Sequence, residues 1–189
     1  MNQEKSADVA SGITQYFGLP EAELKEPLVC HVMQILNISE SKEKALEEWR
    51  YYQNPNTAPF ERMEHVYRPI IYGIDLETPE PEQKARSVKA TYKLLLRDCF
   101  GNYFYAIELE ELPFLRPGTN TTKTPLPIPL GGCITLGKGT LIADGFVLMK
   151  KHLCTYQEPD PFSELTKSLN ENLVGKNIEM IEHLLNDLK

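Results

Sequence analysis

Hydrophobic positions in this chain gather into a few dense runs separated by long polar or proline-broken stretches. The run Leu28 to Ile38 (LVCHVMQILNI) is rich in apolar and β-branched residues, which predicts one strong strand. Further along, Tyr92, Leu94 and Leu96 alternate with Lys93 and Arg97, and Tyr103 to Leu109 (YFYAIEL) follows after Asp98-Cys99-Phe100-Gly101-Asn102. Two such runs around a Gly-Asn signal predict a hairpin over 90–109. Next, Ile134 to Leu136 reads as a short strand and Gly137-Lys138-Gly139 as a tight hairpin turn. Thr140 to Met149 reads as a single strand with Ala143-Asp144-Gly145 in its middle. Glycines inside strands mark bulges or barrel corners, so these short bent strands suit a small closed barrel better than a flat sandwich.

Helical spacing appears at both ends and once between. Ala7, Ala10, Ile13 and Phe17 recur three or four apart until Gly18 and Pro20 stop the pattern. Ser39 and Ser41 are candidate caps for SKEKALEEWRYY, where Leu46 and Trp49 make a narrow apolar stripe. In the tail, Phe162, Leu165 and Leu169 form one stripe and Ile178, Ile181, Leu185 and Leu188 a second, with Gly175 as the expected stop between them. The chain therefore divides into a helical segment 1–27, a barrel 28–157 with an inserted helix and loop at about 40–88, and C-terminal helices 158–189.

Two stretches read as loops. Residues 113–129 hold five prolines around a Thr-rich centre. Residues 53–87 are broken by Pro55, Pro59, Pro69, Pro79 and Pro81, far longer than the two to six residues usual for a connection. Yet this stretch carries Phe60, Met63, Val66, Tyr67, Ile70, Ile71 and Tyr72. A long loop with aromatics either packs on its own domain or is kept for a partner.

Composition narrows the picture. With 41% hydrophobic and 25% charged residues, the chain has enough apolar material for a core, which argues against wholesale disorder. No apolar run approaches the length of a membrane span, and MNQEKSADVA lacks the features of a secretory signal, so a cytosolic or nuclear setting is expected. A net charge of −7 makes DNA a poor sole partner, because non-specific binding rests on Lys and Arg neutralising phosphates.

Catalytic patterns are missing. Gly137-Lys138-Gly139-Thr140 has a GKGT string but lacks the Walker glycine ahead of it. Cys30 and His31 are strand neighbours, which point to opposite faces and so cannot bond directly. Cys30, Cys99, Cys133 and Cys154 are scattered without metal-ligand spacing and read as inert thiols; no metal or other cofactor is expected. Asp98, Glu108, Glu110 and Glu111 could cluster beside the hairpin, but solvated strand ends are the simpler reading. For nucleic acid, Lys93, Arg97, Lys138, Lys150 and Lys151 are the candidate cations, with Tyr103 and Tyr105 on one strand face. Ordinary packing of alternate tyrosines is the competing explanation, and the neighbouring acids weaken a phosphate groove.

Three blocks in order are LVCHVMQILNISESKEKALEEW, then KATYKLLLRDCFGNYFYAIELEELPFL, then PLGGCITLGKGTLIADGFVLMKKHLCTY. Over about 28–157 they resemble the oligonucleotide/oligosaccharide-binding (OB) fold of the RecQ-mediated genome instability protein family. The resemblance implies a mainly β OB barrel with a long loop inserted between its first two strands and flanking helices. It also implies a non-enzymatic nuclear subunit of a complex with a type IA topoisomerase III and a RecQ-family helicase. By that likeness Pro59, Phe60, Met63, Tyr67, Ile70 and Ile71 are the partner-contacting residues. The alternative is a stand-alone OB protein binding single-stranded or branched DNA. The chain departs from the family in its short helical region before the barrel and in reading Gly132-Cys133 where animal members have a Lys.

Overall fold

The computed structural model describes residues 12–54, 89–116 and 122–187. Among the described residues are eight strands: β1 (Glu21–Glu23), β2 (Leu28–Asn37), β3 (Tyr92–Asp98), β4 (Tyr103–Glu108), β5 (Cys133–Leu136), β6 (Leu141–Ala143), β7 (Phe146–Met149) and β8 (Cys154–Gln157). Helix α1 (Lys42–Gln53) follows β2; α2 (Glu164–Asn170) and α3 (Leu173–Asn186) end the chain.

The strands form one curled sheet in the order β1-β6-β7-β4-β3-β2-β5-β8. β2 pairs with both β3 and β5, and β4 pairs in parallel with β7, which in turn pairs with β6. Because β5 runs through Gly137–Gly139 into β6, one bent strand touches β2 at one end and β7 at the other. Five strands thus ring a common core with a seam at that corner, the partly open barrel of an OB fold. β1 and β8 are additions on β6 and β5.

Burial follows strand parity. Leu28, Cys30 and Val32 point inward; then register shifts between Val32 and Gln34, so Ile35 is the next buried residue. Leu94 and Leu96 from β3, Phe104 and Ala106 from β4, and Ile134, Leu136, Ile142, Val147 and Met149 complete the interior. The bulge at Met33 was not legible in an unbroken apolar run.

Several sequence expectations change here. The expected strand 140–149 is a hairpin: β6 and β7 pair as Ala143↔Phe146 around Asp144 (φ 48) and Gly145 (φ 80). Two consecutive positive φ values are what a two-residue type I′ turn demands, and Asp-Gly supplies them. Conversely, Gly137–Gly139 is no hairpin turn, since β5 and β6 do not pair with each other; Gly139 N–H donates to Leu24 O and Gly137 N–H to Leu153 O. The barrel is accordingly open at this corner rather than closed. The break between the tail helices falls at Asn172 (φ 49), not at Gly175, because asparagine tolerates the left-handed conformation. The described part of the expected helical segment 1–27 holds a 3-10 turn, Gly12–Tyr16, and then strand β1, which joins the sheet on β6 instead of forming a helix; Ala7 and Ala10 lie outside the described residues.

Ser41 caps α1, its Oγ accepting from Lys44 N at 3.2 Å, and Leu46 and Trp49 are buried beneath it. Across them lies α3, which buries Ile178 and Ile181, with Arg50 reaching Glu182 at 2.7 Å. No helix among the described residues is long and apolar enough to cross a membrane.

Candidate functional site

The stretch 55–88 leaves the described chain at Asn54, after the last turn of α1, and rejoins it at Lys89. Pro59, Phe60, Met63, Tyr67, Ile70 and Ile71 all lie outside the described residues. Thr91 N–H donates to Ser39 Oγ at 2.8 Å, and Thr91 O accepts from Ile38 N at 2.9 Å. Ser39, a candidate helix cap in the sequence, therefore holds the returning strand instead. Lys89 pairs with Glu111.

Beneath this return point sits Glu108, which is buried. Its Oε2 accepts from Tyr92 N at 3.1 Å and its Oε1 from Leu112 N at 2.8 Å. Arg116 completes the group, with Nη2 2.9 Å from Glu108 Oε2 and 2.6 Å from Ala90 O. Its guanidinium also lies 5.0 Å from the centre of the Tyr92 ring. Burial pushes the Tyr92 phenol up, and the cation of Arg116 offsets this only in part. Asp98 is likewise buried and accepts from Ile13 N, Phe100 N, Asn102 N and Asn102 Nδ2 at 2.9–3.0 Å. Burial alone would raise its carboxyl; these hydrogen bonds outweigh that and hold it below the usual range. The expectation of solvated strand ends is therefore overturned for Asp98 and Glu108. The missed signal was parity: Asp98 continues Leu94 and Leu96 inward, and Glu108 continues Phe104 and Ala106.

The outer face of β3, β4 and β7 carries the second candidate group. Lys93 Nζ lies 4.0 Å from the Tyr105 ring centre and 5.9 Å from that of Phe146, and the two rings stack 6.2 Å apart. Phe146 was not singled out in the sequence, because the strand containing it was read as unbroken. Tyr103 pairs with Arg97 across the hairpin, and is 53% exposed. Arg97 has a buried Nε without a hydrogen-bond partner among the described residues. Lys93 and Arg97 thus share one face with Tyr103 and Tyr105. Lys138 stands apart at the β5–β6 corner, and Lys150 and Lys151 follow β7, where Lys151 N–H donates to Glu110 Oε2 at 3.1 Å.

Cys30 and His31 face opposite ways and do not bond each other. Cys30 points into the core and burial pushes its thiol far up, while His31 points out, with Nδ1 3.5 Å from Cys133 Sγ and 3.4 Å from Gly131 O. Cys154 is also buried, its thiol raised to about 11 by burial against a smaller lowering from the backbone of Lys150. Cys99 is exposed in the hairpin turn, where the sequence also puts it. Among the described residues no three His, Cys, Asp or Glu side chains converge as a metal site.

Comparison with protein families matches residues 3–157 to the family described as RMI1, N-terminal OB-fold domain. That match spans most of the 189 residues. No curated protein matches the chain. The chain belongs to the RMI1 OB-fold family.

Proposed function

We propose that this member of the family is a non-catalytic nuclear subunit that docks on a type IA topoisomerase III working with a RecQ-family helicase. The observation that carries this reading is the insertion point of 55–88, between the first two strands of an OB ring, at a return site pinned by Ser39, Glu108 and Arg116. The apolar residues Pro59, Phe60, Met63, Tyr67, Ile70 and Ile71 supply the anchors that binding hot spots require. The strand passage chemistry belongs to the topoisomerase. The subunit biases its DNA gate by binding one gate state better than the other, which promotes decatenation and dissolution of recombination intermediates.

A decatenation assay with topoisomerase III tests this. The intact chain should stimulate the reaction, and a chain whose residues 55–88 are replaced by a short Gly-Ser linker should not. Trp49, the one tryptophan, is buried under α1 and reports by its emission whether the shortened chain is folded. Unchanged stimulation by a folded, shortened chain would refute the proposal.

A second reading is favoured by the Lys93–Tyr105–Phe146 stack beside exposed Tyr103 and by Arg97. Aromatic faces and cations on an OB surface suit stacked bases of a single strand. It requires tight oligonucleotide binding by the chain alone, against a net charge of −7.

A further inference from the structure

Between the outer face of the sheet and the two C-terminal helices lies a notch of about 410 Å³, within the roughly 300–1,000 Å³ of small-ligand clefts. Gln34, Leu95 and Tyr103 line it from β2, β3 and β4, and Ser168, Lys176 and Met180 from α2 and α3. Lys176 is the one charged side chain among the described residues lining it. Beside the notch stands Arg97, across the hairpin from Tyr103, with its buried Nε lacking a hydrogen-bond partner among the described residues. We propose that this notch receives one unstacked base at the end of a single-stranded DNA path across β3 and β4, with Arg97 on the adjoining phosphate. It rests on the second reading above, that a single strand lies on this face.

The helices are fastened to the sheet at both sides of the notch. Asn170 Oδ1 accepts from Leu130 N at 3.3 Å while its Nδ2 donates to Leu130 O at 3.0 Å, and Gln34 Nε2 meets Met180 Sδ. Leu173, at the start of α3, is buried. This packing still leaves Tyr103 53% exposed, so its ring offers a base a stacking surface and Leu95 an apolar floor. Two residues along the same strand face, Tyr105 carries Lys93 over its ring, so aromatic and cation recur in step. The orphaned Nε of Arg97 points to an anion, because a buried donor without an acceptor costs free energy that a phosphate oxygen recovers. Charge selects the occupant. Lys93, Arg97 and Lys176 gather on this side of a chain whose net charge is −7, a local reversal that suits a polyanion better than an apolar peptide. Half of the notch comes from helices beyond residue 157, where the family match ends, which makes the site a feature of this chain's tail as much as of the barrel.

The test is fluorescence anisotropy of the intact chain with a labelled oligothymidylate of about 16 nucleotides at low salt. Ser168→Phe places a ring in the notch from an exposed helix position and should weaken binding roughly tenfold, as the loss of one base–aromatic stack does. Tyr103→Ala should cause a similar loss, and the two changes together little more than either alone, since both remove the same base contact. Arg97→Gln should lower the slope of log affinity against log salt by about one phosphate contact. Emission from buried Trp49 reports whether each variant is folded. Where Ser168→Phe is not, Lys176→Glu, also at an exposed position, takes its place with the same expected loss. Wild-type affinity in the folded notch variant, while Tyr105→Ala weakens binding, would overturn the notch and leave the strand face standing. Fully additive losses from Ser168→Phe and Tyr103→Ala would overturn it as well. Should neither the notch variant nor Tyr105→Ala weaken binding, or the chain not bind the oligonucleotide at low salt, the strand reading itself has failed and the notch with it.

Discussion

At the scale of single residues, buried carboxylates hold this fold at two junctions, and Asp98 shows how. A β-carbon on Gly12 would stand 2.2 Å from Asp98 Oδ2, and Gly12 has φ +63, so only glycine lets the chain pass this close to the carboxylate. The next residue, Ile13, donates its N–H to that oxygen and is itself fully buried. Asp98 thereby ties the 3-10 turn to the β3–β4 hairpin. Asp98→Ala would leave the N–H groups of Ile13, Phe100 and Asn102 without this acceptor and should destabilise by about 1–3 kcal/mol, or roughly 2–12 °C in Tm, read from a Trp49 melt. The pH dependence follows from the same contacts. The folded carboxyl is held below its usual value of 3.8, so the ionised form contributes stability that is fully present above that value. This stability is lost as pH falls through the folded value, and Asp98→Asn should flatten that part of an acid melt. An Asp98→Asn profile superimposed on the wild type below about pH 4 would show that the carboxylate contributes nothing there.

Among the elements, those with a strong local signal were legible. β2, α1 and the β3–β4 hairpin lie where alternation, capping serines and Gly101-Asn102 put them. Failures came where two readings share one composition. Ala143-Asp144-Gly145 reads as a bend within a strand, although Asp-Gly between apolar residues is equally a turn; only the pairing of β6 with β7 decides it. The root of the insertion was hidden for a similar reason. Ser39 and Ser41 both look like caps, and nothing local says that Ser39 bonds Thr91, 52 residues away. The six expected partner residues fall outside the described residues. A test at this scale is Gly145→Ala. With φ at 80, it should destabilise the β6–β7 hairpin by about 1–2 kcal/mol, whereas Asp144→Asn should be nearly neutral, as denaturant midpoints would show. Equal midpoints for Gly145→Ala and wild type would rule out the type I′ turn.

For the whole molecule, the strand order and the placement of the long insertion together give a division of labour. The ring supplies the frame, with an apolar interior and with α3 packed on α1. Family membership covers 3–157, so α2 and α3 lie beyond the matched region, with α3 packed on α1 within it. Partner docking and strand binding make opposite demands on such a frame. Docking through apolar anchors should resist salt, whereas strand binding by Lys93 and Arg97 should weaken steeply as salt rises. The most direct measurement is a parallel titration of the intact chain, at low and at about 150 mM salt, with topoisomerase III and with a labelled single-stranded oligonucleotide. The subunit account predicts topoisomerase binding that persists at the higher salt and oligonucleotide binding that is weak there. Tight oligonucleotide binding at the higher salt, with no measurable topoisomerase binding, would contradict it.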